Sequence, residues 1–92
     1  MKIVRVAKAG TLESNDIMIV VKPSEHNEVE VELDSIVLKH FGKQIRSVIL
    51  KTVGRLNISA VKIEAQDKGA LDYTIEARVE AALLRAAEEV SA

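Results

Sequence analysis

Glu28-Val29-Glu30-Val31-Glu32-Leu33-Asp34 alternates acids with aliphatic residues without a break, and two residues later, at Ile36, the alternation stops. A period of two over residues 28–34 predicts a half-buried strand that keeps its acids in water. Beyond it the period lengthens. Leu38, Phe41, Ile45, Val48, Ile49, Thr52 and Leu56 fall on one helical face, with Lys39, Lys43 and Arg46 on the other. Asp34 or Ser35 is placed to cap this helix. Gly42 is its weak point, expected to divide a short first turn from a longer helix, because glycine costs about 1 kcal/mol against alanine inside a helix.

Working outward, Val61, Ile63 and Ala65 alternate with Lys62, Glu64 and Gln66 and predict another strand, ended by the turn formers Asp67-Lys68-Gly69. After that turn Leu71, Ile75, Val79, Ala82, Leu83 and Ala86 form one helical stripe, and the tail beyond Ala87 is expected to fray. Tyr73, Ala77, Ala81 and Leu84 make a second apolar stripe, open to two readings: an extension of the core or a face for a partner subunit. Towards the N-terminus, residues 2–12 and 16–22 read as two strands joined at a tip formed by Glu13, Ser14 and Asn15, and Pro23-Ser24-Glu25-His26-Asn27 turns the chain again. The order is strand, strand, strand, helix, strand, helix. Two helices over one face of a sheet of about four strands make an α+β two-layer sandwich, and 92 residues suffice for one core only, so residues 1–92 are read as a single domain.

Composition narrows the function. Phe41 and Tyr73 are the only aromatic residues, so the core must be aliphatic and no stacking platform for single-stranded nucleic acid is available. Thirteen basic and fourteen acidic side chains nearly cancel, so no bulk field favours a charged partner. The local asymmetry, acids at Glu25, Glu28, Glu30, Glu32 and Asp34 followed by bases at Lys39, Lys43, Arg46, Lys51 and Arg55, reads as two solvated faces rather than a docking surface. An RNA or polyanion site on that basic helix is the alternative from another class, but Lys51 and Arg55 leave the face of the other three. With no cysteine, neither disulfides nor thiolates contribute, and a reducing cytoplasm is the expected location. Arg5 and Lys8 interrupt the N-terminal apolar stretch, unlike a signal peptide, and the run Ile17-Met18-Ile19-Val20-Val21 is too short to span a membrane.

Catalytic chemistry is poorly provided for. His26 and His40 lack ligand-like spacing, so no metal site is expected; the four glycines are scattered and make no phosphate loop; nothing ties either histidine to a serine as its base. Ser14, in Ala9-Gly10-Thr11-Leu12-Glu13-Ser14-Asn15-Asp16, would stand at an exposed tip. By itself that is ordinary turn chemistry.

That segment, together with Phe41-Gly42-Lys43-Gln44-Ile45-Arg46, Asp67-Lys68-Gly69-Ala70-Leu71-Asp72-Tyr73-Thr74-Ile75 and Ala77-Arg78-Val79-Glu80-Ala81-Ala82, resembles the family of acyl carrier (gamma) subunits of citrate lyase over nearly the whole chain. The resemblance implies a non-catalytic carrier domain whose Ser14 bears covalent phosphoribosyl-dephospho-CoA, the arm on which acetyl and citryl thioesters form while citrate is cleaved to acetate and oxaloacetate. It implies as partners the large acyl transferase and citryl lyase subunits and an enzyme that installs the arm, for which Glu13, Asn15 and Asp16 are candidate recognition residues. Carriers of citramalate lyase or malonate decarboxylase are the alternatives within that class. Asp34-Ser35-Ile36 superficially resembles the attachment signature of fatty-acid carriers, but a strand-like run precedes it, so Ser35 reads as a cap and Ser14 remains the site.

Overall fold

The computed structural model describes residues 1–89. The chain runs β1 (Lys2–Ile3), β2 (Ala7–Ala9), β3 (Ile17–Lys22), β4 (Val29–Ser35), α1 (Leu38–Arg55), β5 (Val61–Asp67), α2 (Asp72–Ala86) and β6 (Ala87–Glu88). Four strands form one sheet in the order β2-β3-β5-β4, with β4 and β5 parallel and the other neighbours antiparallel. Helix α1 connects the parallel pair, which no short hairpin can do.

Alternation decides which face is covered. Ile17, Ile19 and Val21 of β3 and Val61, Ile63 and Ala65 of β5 are buried, as are Ile45, Ile49 and Val53 of α1 and Ile75, Val79, Ala82, Leu83 and Ala86 of α2. Together these form one core cluster. Both helices therefore lie on one face, and the core is wholly aliphatic: Phe41 and Tyr73 are 56% and 72% exposed. The open face carries the intervening polar residues, including ion pairs from Lys22 to Glu64 (3.1 Å) and from Lys62 to Glu32 (3.3 Å). The pairing with Glu32 raises the Lys62 pKa above its usual value.

The expected α+β sandwich is present, with several local differences. Residues 2–12 do not form one strand. After Ile3 the backbone N–H groups of Val4 and Arg5 both donate to the Ala86 carbonyl (2.9 and 3.3 Å), and β1 pairs with β6 as a separate two-stranded ribbon. Of the tail expected to fray beyond Ala87, Glu88 is paired and Arg5 fastens it (3.0 Å), while residues 90–92 lie outside the described residues. Helix α1 passes through Gly42 unbroken, with the Leu38 side chain over it: a Cβ there would meet Leu38 Cδ1 at 3.1 Å. Neither Asp34 nor Ser35 caps α1. A turn at Ile36-Val37 intervenes, Val37 occupies the cap position without a side-chain bond, and Leu38, though on the expected apolar face, is 46% exposed. In α2 the second stripe divides: Ala81 packs against the core, whereas Tyr73, Ala77 and Leu84 are exposed.

Candidate functional site

The hairpin between β2 and β3 is wider than the sequence suggests. Ala9 pairs with Ile19, leaving residues 10–16 as the connection and Ser14 exposed within its turn. Gly10 opens this loop with φ +92°, and a Cβ there would lie 1.8 Å from the Ile17 carbonyl oxygen, so only glycine allows so close a backbone approach. Asn15 takes φ +65°, a left-handed conformation that asparagine tolerates better than other side-chain-bearing residues. Its N–H donates to the Lys68 carbonyl (2.8 Å), and the Lys68 N–H donates to the Asp16 carbonyl (2.9 Å). These two bonds fasten the residues that follow the serine to the turn at the end of β5.

Asp16 anchors the loop from below. Its carboxylate accepts Arg78 Nε at 3.0 Å and a second Arg78 nitrogen at 2.9 Å, the Thr11 hydroxyl at 2.7 Å and the Ile17 N–H at 2.8 Å. Paired chiefly by Arg78, and then by Thr11 and Ile17 against the cost of its burial, the Asp16 carboxyl is held at about 2 instead of 3.8. The same pairing raises the Arg78 pKa. Asp16, one of the candidate recognition residues, is turned inward: both carboxylate oxygens are engaged and the residue is 9% exposed. Glu13 and Asn15 stay exposed on either side of Ser14. Among the described residues the Ser14 hydroxyl has no hydrogen-bond partner.

Ser35 has the opposite environment. It is half-buried, its hydroxyl donates to Asp67 Oδ2 (2.7 Å), and its oxygen accepts the Val37 N–H (3.0 Å). The buried Asp67 carboxylate also accepts the N–H groups of Gly69 (3.1 Å) and Ala70 (2.9 Å), which bends the chain from β5 into α2. Ser35 is built into the scaffold.

The roles of Thr11 and Arg78 do not show in the sequence. One signal does exist for Arg78: a cation directly beside Val79, on the margin of the buried stripe of α2, needs a nearby acceptor. The basic run is dispersed, with Arg46 donating to the Val31 carbonyl (3.1 Å) and Arg55 shared between Glu76 and Glu80 (both 3.4 Å). His26 lies in a turn and His40 on α1, and among the described residues no group of three or more histidines or acids is arranged to hold a metal ion. No helix of the described residues is long and apolar enough to cross a membrane.

The arrangement is that of a presented hydroxyl: exposed, unengaged and held on a loop whose neighbours are fixed. Residues 4–86 match the family described as malonate decarboxylase delta subunit (MdcD). The chain is 52% identical, over 98% of both chains, to the citrate lyase acyl carrier protein of Halothermothrix orenii. It is 51% identical to that of Streptococcus mutans, over 96% of this chain and 86% of the relative, and 51% identical to that of Streptococcus equi subsp. equi, over 95% and 85%. A chain in the crystal structure of a Pseudomonas malonate decarboxylase hetero-tetramer in complex with malonate has the same fold, with a TM-score of 0.74, 15% identity, and coverage of 90% of this chain and 84% of that one.

Proposed function

The chain belongs to the acyl carrier family that includes the citrate lyase acyl carrier proteins and the malonate decarboxylase delta subunit, and on that premise we propose that it is the carrier subunit of a citrate lyase, with Ser14 as the attachment point of phosphoribosyl-dephospho-CoA. When attached, the group supplies a thiol that holds acyl groups as thioesters; the protein supplies the attachment, the orientation and the docking surface. The reading is supported above all by the free Ser14 hydroxyl standing on a loop that Arg78 and Lys68 hold in place.

The exposed Ser14 hydroxyl, unbonded among the described residues, leaves an attached group free access. The nearest fixed acid, Asp16, is neutralised by Arg78 and turned inward, so it opposes an incoming anion less than a free carboxylate would. Glu13 and Asn15 remain for the attaching enzyme to read. A fixed base for the arm leaves its far end mobile, and tethering keeps the thioester at high local concentration for the acyl transferase and citryl lyase subunits. Catalysis then belongs to those subunits, in the cytoplasm, and not to this chain.

The family description also covers malonate decarboxylase. Citrate lyase is favoured because identity to its carriers is about half along nearly the full chain, whereas the malonate decarboxylase structure shares the fold at 15% identity. Oxaloacetate release from citrate by the reconstituted complex separates the two. The attachment is tested by the intact mass of the chain purified in a lyase-competent complex from its native host. The arm's mass is expected on the wild type and absent from Ser14→Ala, which should also be inactive. An unmodified chain in an active complex, or full activity of Ser14→Ala, overturns the assignment.

A further inference from the structure

Between the start of α1 and the start of α2 lies a groove of about 350 Å3, lined by Val37, Phe41, Ile45, Gly69, Ala70 and Leu71. It adjoins the Ser14 loop. A Cβ on Gly69 would be 3.6 Å from Asn15 Oδ1 on one side and 3.7 Å from Ile36 Cδ1 on the other. Phe41 and Leu71, the large apolar residues of its lining, are 56% and 59% exposed, and Ile36 beside them is 67% exposed, in a chain whose remaining phenyl-type ring lies elsewhere on α2. At the rim Gln44 Nε2 donates to Asp72 Oδ2 at 2.8 Å, placing an amide and a carboxylate side by side over an apolar floor.

We infer that this groove is a docking site for the adenine ring of the arm attached to Ser14, an inference that rests on the carrier reading of Ser14. An exposed phenyl face suits stacking by a purine, which every base supplies through its flat surface. The Gln44 amide both donates and accepts, and the Asp72 carboxylate accepts, which matches the exocyclic amine and ring nitrogens along an adenine edge. The adenosine portion lies towards the attached end of the arm, next to the loop the groove adjoins, whereas the thiol lies at the far end. Docking the base there shortens the mobile part of the arm and aims it from one end of the sheet. An open groove of this size holds a free nucleotide weakly, but attachment at Ser14 substitutes a high effective concentration for affinity.

The test compares isotope-labelled chain carrying the arm with the Ser14→Ala chain by NMR, after intact mass has established loading of the former. Docking is expected to shift the amide signals of Phe41, Gln44, Ala70 and Leu71, to move the adenine ring protons upfield, and to give cross-relaxation between those protons and the Phe41 ring. Phe41→Ala, at an exposed position, should still acquire the arm's mass but lose about tenfold of the docked population, as expected for removal of one stacking face. A loaded chain whose groove signals match those of Ser14→Ala overturns the inference and leaves the carrier reading intact. A chain that never acquires mass at Ser14 overturns both.

Discussion

Ser14 and Ser35 meet at the same end of the sheet, each close to an aspartate, yet one hydroxyl is free and the other is locked. Asp67 is the shared landmark, paired in register with Ile17 at the start of β3 and with Ser35 at the end of β4. The difference lies in what each carboxylate binds. Asp16 receives a guanidinium from α2, a threonine and a backbone N–H, and so makes no demand on Ser14. Asp67 has no bonded cation among the described residues and, 1% exposed, satisfies its oxygens with the Ser35 hydroxyl and two N–H groups. A buried carboxylate must be satisfied, and whichever donors it takes are no longer available for chemistry. The serine left exposed and unbonded among the described residues is the one whose neighbouring acid already has an arginine.

The largest effect is expected at Asp67. Asp67→Ala removes an acceptor shared by three donors and leaves Ser35, Gly69 and Ala70 unpaired, which should cost about 3 kcal/mol in denaturant unfolding. A loss below about 1 kcal/mol would break the comparison, since Ser35 would then not be held by that bond.

Next is Arg78→Ala, expected to cost about 2 kcal/mol near neutral pH by leaving a partly buried carboxylate without its cation. The pH dependence sharpens this. The Asp16 pKa is depressed in the folded chain, about 2 against 3.8, so its ionised form stabilises the fold above the unfolded value, and that stability is lost as pH falls through the interval between them. The stability gap between wild type and Arg78→Ala should therefore be full above pH 4 and shrink towards pH 2. A gap that stays constant over that range rules out the ion pair as its source.

The smallest effect sets the two serines directly against each other. Ser35→Ala should lose about 1 kcal/mol and still acquire the arm's mass, whereas Ser14→Ala should unfold like the wild type, within about 0.5 kcal/mol, and acquire none. Thermal or denaturant midpoints read the first quantity and intact mass the second. A reversed pattern would move the attachment site to β4.

Much of this architecture is legible along the chain. The acid-aliphatic alternation of residues 28–34 and the similar pattern from Val61 mark β4 and β5, and the stripes from Ile45 and Ile75 mark the buried faces of both helices. Periodicity reports burial, and burial depends on neighbours a few residues away. Less legible were the break after Ile3 and the pairing of Ala87 and Glu88, because each depends on a contact between the two ends of the chain that the local pattern does not contain. Ser14 stood out through its segment. That Asp16 turns inward did not, since its partner is 62 positions away.

Local composition thus determined the elements, the aliphatic core and the exposed turn in which Ser14 sits, because strand and helix periods and turn chemistry act over a handful of residues. Which carboxylate binds a cation and which binds a serine was decided only by folding. Helix α2 must lie across the sheet before Arg78 can reach Asp16, and that contact leaves one hydroxyl free while its counterpart on β4 is bound.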